Sequence, residues 1–127
     1  MTLNQTIPKD GQQHAVPVAW RTTLSQIVRA IKEDRLSSLD PALHVRAVLP
    51  DDVLDIRENI RAYGVTLVEL PADSWKTSVC MWSRAGFWNV MVDLHSLEEG
   101  RSDLVLGVRI VEEGDEYNYE VEWVHVP

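Results

Sequence analysis

The sequence predicts an α+β fold: two N-terminal helices packed on one face of a curved, mainly antiparallel sheet of four to five strands. Three observations lead there. Before Gly64 apolar residues recur at helical spacing; after it they alternate with period 2 in short runs; and Gly, Pro and acidic turn residues separate those runs. Helices followed by strands on short connections imply an antiparallel meander with its helices to one side. A sheet wrapped around a helix, as in cystatin-like or nuclear-transport-factor-like cones, is one such arrangement. That is an analogy of fold and carries no function.

Residues 1–16 are polar, contain Pro8 and Gly11 and show no periodicity, which predicts a flexible tail ahead of a single domain over 17–127. Trp20, Leu24, Ile27, Val28 and Ile31 then mark one face of a helix that ends near Asp34 or Leu36. Pro17 suits its first turn, while Thr23 and Gln26 offer a later capped start. Leu43, Val45 and Ala47 alternate as a short strand would, bracketed by Pro41 and Pro50. Asp51 and Asp52 open a second helix, because carboxylates accept free N–H groups and suit the dipole there. Val53, Leu54, Ile56 and Ile60 form its buried stripe, and Gly64 stops it.

Beyond Gly64 everything reads as strand. Val65–Leu70 runs into Pro71, and Ser78–Ser83 follows. Trp88, Val90, Val92 and Leu94 share a face, as do Leu104, Leu106, Val108 and Ile110. After the acidic turn at 112–116, Tyr117, Tyr119, Val121 and Trp123 share a face of the last strand. Trp20 and Trp88 belong in the core; Trp75, Trp82 and Trp123 sit in or beside polar sequence. Two of these three on the sheet face away from the helices would make a pocket or partner surface.

Composition bounds the rest. With 127 residues, 45% hydrophobic and 25% charged, the chain fits one globular domain that buries roughly two-thirds of its unfolded surface. No apolar run approaches the ~18 residues of a membrane-spanning helix, and the first residues lack the basic start and apolar core of a signal peptide. The lone Cys80 cannot form an intrachain disulfide, so a reducing cytoplasm is the expected compartment.

Charge is unevenly placed. Residues 1–92 hold ten acids and ten Lys or Arg; residues 93–127 hold ten acids and two Arg, and so carry the whole net charge of −8. Nucleic acid is not an expected partner, since its phosphates call for basic contacts. A basic protein would be drawn to this region. The plainer reading is that the acids solvate exposed strand faces.

Chemistry-bearing residues concentrate between 93 and 103. Asp93 and His95 lie two apart on one strand and project to the same side, with Glu98, Glu99, Asp103 and Arg101 nearby. One reading is a pocket in which His95 moves a proton, oriented by Asp93, while Arg101 holds an anion. The favoured one is structural: Arg101 forks onto Asp93, Glu98 or Asp103 and pins the hairpin, so that Arg101→Ala lowers the melting temperature. No metal site is expected from Asp93, His95, a Glu and the distant His125, because one Asp-x-His step lacks the fixed spacings of zinc motifs. Cys80, between Val79 and Met81, reads as a small core residue. The chain has no Gly-rich phosphate loop, no G-x-S-x-G elbow and no H-E-x-x-H, so no catalytic residue and no cofactor is expected.

Four stretches carry a resemblance: Y-G-V-T-L-V-E-L-P (63–71), W-K-T-S-V-C-M-W (75–82), W-N-V-M-V-D-L (88–94) and E-E-G-R-S-D-L-V-L (98–106). Together they resemble a family of small bacterial proteins classed as a domain of unknown function, over roughly residues 50–127. The chain departs from the family pattern at His95, where members more often carry Trp, which leaves Asp93 and Arg101 as the better site candidates. The resemblance implies no activity.

The expectation is therefore a non-enzymatic interaction or ligand-binding domain whose acidic C-terminal face takes a basic protein, as a toxin-neutralising immunity protein does. The alternative is a small-molecule-binding or enzymatic cone, with Asp93, Arg101, Arg109 and Trp82 lining a cavity. A homodimer built by pairing exposed strands is the third.

Overall fold

The computed structural model describes residues 7–127. It contains two α-helices, α1 (Val18–Lys32) and α2 (Pro50–Tyr63). Its five strands are β1 (His14–Ala15), β2 (Val79–Ser83), β3 (Phe87–Ser96), β4 (Gly100–Glu113) and β5 (Glu116–His125). The strands form one sheet in the order β1-β2-β3-β4-β5, every neighbouring pair antiparallel. The fold is α+β, as the patterning predicts.

α1 begins directly after Pro17, whose carbonyl accepts the Trp20 N–H at 3.1 Å. Trp20, Leu24, Ile27 and Val28 are its buried face. Its end is a Schellman turn: the Arg35 N–H reaches the Ala30 carbonyl at 2.8 Å and the Asp34 N–H that of Ile31 at 3.2 Å. Asp34 occupies the left-handed position, φ +55°, where Gly is usual. α2 stops at Gly64, φ +86°. Of its expected buried stripe only Ile56 is buried; Val53 and Ile60 are half-buried against the core, and Leu54 is 50% exposed.

Two expected strands shrink to single bridges. Within Val65–Leu70 only Leu67 pairs, with Ser96, supported by Leu97 N–H to the Thr66 carbonyl and Val68 N–H to the His95 carbonyl. The segment lies beside the end of β3 that β2 does not reach, since β2 pairing stops at Met91. Pro71 then heads a 3-10 turn over Ala72–Lys76. Likewise Val45 forms one parallel bridge with Tyr119 on the outer edge of β5. Pro41 starts a 3-10 turn before it and Pro50 starts α2 after it, which leaves no room for a ladder.

Residues 1–6 of the expected tail lie outside the described residues. Residues 7–16 are tied to the sheet. Ile7 and Val16 are buried, His14 and Ala15 pair with Cys80 and Val79, and the Trp88 Nε1–H donates to the Pro8 carbonyl at 3.1 Å. Lys9 lies 4.8 Å from the Trp82 ring centre and 2.8 Å from a Glu112 carboxylate oxygen. Beneath it Trp88 meets Trp82 at 4.7 Å and Trp20 of α1 at 5.2 Å between ring centres, both inclined as aromatic quadrupoles prefer. Buried residues of α1, α2, β3 and β4 form one continuous core.

The last strand departs from the sequence pattern. Val121 pairs with Val108, but Trp123 pairs with the next residue, Gly107, so Glu122 is an extra residue in β5. The bulge reverses the facing of everything after it. Tyr119 and Val124 face the core, whereas Trp123 emerges on the opposite face. Its ring lies against Gly107, where a Cβ would sit 2.4 Å from a ring carbon. The isolated Gly inside β4 is the sequence signal of this close approach.

The contact yields a test. Gly107→Ala should destabilise the protein by about 1–3 kcal/mol through overpacking, measured by urea unfolding. The cost should vanish in a Trp123→Ala background; an equal cost in both backgrounds would mean that the ring does not lie there.

Candidate functional site

Asp93, His95, Glu98, Arg101, Arg109 and Trp82 do not converge. Asp93 stands opposite Val105, His95 opposite Arg101 and Arg109 opposite Asn89, which spreads the two arginines over roughly 25 Å of strand. Trp82 pairs with Trp88 and packs into the aromatic cluster. Arg109 holds its Nε 2.8 Å from Glu122 Oε2, a charge contact not aligned as a hydrogen bond, and lies 4.5 Å over the Phe87 ring.

Asp93 is held through its backbone: its N–H donates to Ser78 Oγ at 2.9 Å and its carbonyl accepts from the Ser74 hydroxyl at 2.7 Å. Its carboxylate has no ion-pair partner among the described residues. His95 Nε2 is buried without a hydrogen-bond partner among them. Arg101 is exposed and takes part in no ion pair among the described residues, so it does not pin the hairpin.

Other residues do so. Glu98 accepts the Thr66 N–H at 2.8 Å and the Thr66 hydroxyl at 2.9 Å. Those bonds favour the charged form and hold its carboxyl below the ordinary value of 4.5. The Tyr63 hydroxyl donates to Glu99 at 2.7 Å and accepts the Asp103 N–H at 3.0 Å. The β3–β4 turn is thus fastened to the end of α2 and the segment after it.

The concave features lie elsewhere. A groove of about 200 Å³ on the face carrying Trp123 is lined by Val79, Met81, Met91, Gly107 and Trp123, with Glu122 at its border. A cleft of about 350 Å³ between α2 and β5 is lined by Asp52, Asp55, Asn59, Glu122, Trp123 and His125. The Trp123 and His125 rings stack at 3.9 Å with 4° between their planes, and the Asn59 amide donates to the Val124 carbonyl at 2.9 Å, which ties α2 to β5. A third cavity, about 150 Å³, lies among Ile31, Leu36, Val53, Ile56 and Ile60, rimmed by the Asp34–Arg57 pair at 2.8 Å.

Folding redistributes the charge of the acidic third. Lys9 pairs with Glu112, Arg46 with Glu113 and Glu120, and His44 lies 3.6 Å from Glu116. Asp52 and Asp55 keep no such partner among the described residues, whereas Glu122 of the same α2–β5 cleft lies against Arg109. Sequence reasoning placed Asp52 only as a helix-opening residue and Trp123 in line with Tyr119. Burial pushes the Cys80 thiol up to about 11, so it stays protonated at neutral pH. Among the described residues no group of His, Cys, Asp and Glu could hold a metal ion, and no helix is long and apolar enough to cross a membrane.

Fold and site define an α+β domain built on an antiparallel meander, with an apolar groove and an acidic cleft meeting at one tryptophan. The chain belongs to the family described as Domain of unknown function (DUF7668), whose model matches residues 28–127. No curated protein and no solved structure matches it. The family span includes the 50–127 stretch that carries the resemblance and extends back into α1.

Two substitutions separate the hairpin's supports. Arg101→Ala should leave stability within about 0.5 kcal/mol of the parent. Glu98→Gln should flatten the acid limb of stability. Because the folded carboxyl lies below 4.5, its contribution is present above that pH and is lost as pH falls through the folded value. Unfolding midpoints measured downward from pH 6 check both; identical acid limbs for parent and Glu98→Gln would refute the role of Glu98.

Proposed function

We propose that this protein is a non-enzymatic bacterial cytoplasmic interaction domain that takes a basic protein partner on its acidic face, as a toxin-neutralising immunity protein does. In this reading α1 and α2 pack on one face of a curved sheet and leave the other face open. The shared core of helices and strands and the Trp20–Trp88 contact support that packing. Met81, 38% exposed on the face of Trp123, supports the openness of the other.

The observation that carries the reading is the emergence of Trp123 onto that face beside Asp52, Asp55 and Glu122. Trp and Met are residue types enriched where proteins meet, and Asp52 and Asp55, which have no ion-pair partner among the described residues, favour a positive partner and speed its encounter. The small-molecule alternative needs a cavity at Asp93 and Arg101, and the three cavities described above touch neither. Pairing of β5 with a second copy is opposed by His44–Arg46 at Tyr119 and by Asn59 at Val124.

The test is association with purified proteins graded from strongly basic to strongly acidic, followed by biolayer interferometry. Basic proteins should bind, with an association rate that falls steeply as salt passes ~0.15 M, where the Debye length is about 8 Å. Equal binding of acidic and basic proteins, or salt-independent rates, would defeat the proposal.

A further inference from the structure

We infer that Trp123 divides a two-part docking site that takes an extended cationic peptide segment of a partner, with an apolar side chain in the sheet-face groove and a Lys or Arg in the α2–β5 cleft. The inference rests on the interaction-domain reading and gives the partner a recognition element.

Trp123 and Glu122 line both the groove and the cleft, so the two are adjoining compartments with the indole as their common wall. The wall is rigidly placed. Glycine at 107 lets the ring lie against β4, the one-residue bulge turns it outward, and His125 stacks on it.

The compartments differ in chemistry. Val79, Met81, Met91 and Gly107 give the groove an apolar surface, and the thioethers of its two methionines adapt to varied side chains. Ile56 and Val124 lie buried behind the cleft, whose accessible lining is the carboxylates of Asp52, Asp55 and Glu122 with Asn59 and the Trp123–His125 ring stack. Arg109 already lies against Glu122, which leaves Asp52 and Asp55 as the uncompensated charge. An alkyl stem laid along the edge of that ring stack with its cationic head among carboxylates is how Lys and Arg are accommodated at protein surfaces.

Spacing sets the register of the peptide. Side chains at positions i and i+2 of an extended chain point the same way, roughly 6–7 Å apart, a separation that spans one aromatic ring. The site therefore selects a basic residue two positions from an apolar one. It rejects acidic segments through the like charge of Asp52 and Asp55.

The experiment uses the full chain, isothermal titration calorimetry and amide chemical-shift mapping. The probe is the peptide acetyl-Leu-Ser-Arg-Ser-Leu-Ser-Arg-amide, with controls in which either Leu becomes Ser or Arg becomes Glu throughout. The parent peptide should bind, shifting amides of residues on both sides of Trp123, and both controls should bind at least about tenfold more weakly. Asp52→Asn with Asp55→Asn should weaken it about tenfold through the cleft, and Met81→Ser by a lesser factor through the groove. These substitutions lie at exposed or half-buried positions, and thermal melts confirm that each variant folds.

Equal affinity of the Leu-to-Ser control would reduce the site to charge attraction and overturn the two-part arrangement. Shifts confined to another face would overturn the location, and self-association that buries this face would name a second copy as its occupant instead. If no peptide binds while basic proteins still bind with salt dependence, the docking inference fails and the interaction-domain reading stands. If neither binds, both fail.

Discussion

The extra residue in β5, Glu122, governs the part of the molecule that faces outward. Up to Val121 the strand alternates in step with β4, and Tyr119 contributes to the core. The shift at Gly107 and Val108 then sends Trp123 to the opposite face and brings Val124, fully buried, into the core. A period-2 strand allows this only by inserting one residue, and Gly107 is the partner without a side chain that lets a ring settle beside the ladder. With Trp123 turned out and Val124 fastened to α2 by Asn59, the sheet face acquires its groove and the α2–β5 junction its cleft.

The opposite end of the sheet is organised around Trp88. It meets Trp20, Trp82 and Tyr117 through inclined ring contacts and donates its indole N–H to the Pro8 carbonyl. That bond draws residues 7–9 across the aromatic cluster and places Lys9 between Trp82 and Glu112. The acidic C-terminal third is thus partly neutralised by cations from the other end of the chain, Lys9 and Arg46. These pairs are exposed and each contributes little to stability. They leave Asp93, Glu98, Glu99, Asp103 and Asp115 of that third, like Asp52 and Asp55 of α2, without an ion-pair partner among the described residues.

The hairpin at 96–100 shows how a correct structural idea can rest on the wrong residue. The crowding of acids around Arg101 suggested an ion-paired turn. The turn is indeed fastened, by carboxylates that accept hydrogen bonds from Thr66 and Tyr63, while Arg101 points to solvent. Linear proximity favours Arg101 as the partner because it lies within a few residues. Thr66 and Tyr63 are more than thirty residues distant, and only the antiparallel approach of the segment after α2 to the end of β3 brings them there.

What the sequence by itself determined was local: the helix from Pro17, the stop at Gly64, the alternation of β3 and β4, and the burial of Trp20 and Trp88. Each follows from periodicity, a backbone preference or a side chain's apolar area, all properties of neighbouring residues. The tertiary structure decided everything that depends on distant partners. It reduced Val65–Leu70 and Val45 to single bridges, tied residues 7–16 to the sheet and dispersed Asp93, Arg101 and Arg109 along it. It also brought Asp52, Asp55, Trp123 and His125 together from two elements that no short motif links. The reason is physical: pairing register and bulge position are set by which side chains fill one shared core, and no stretch of chain carries that information alone.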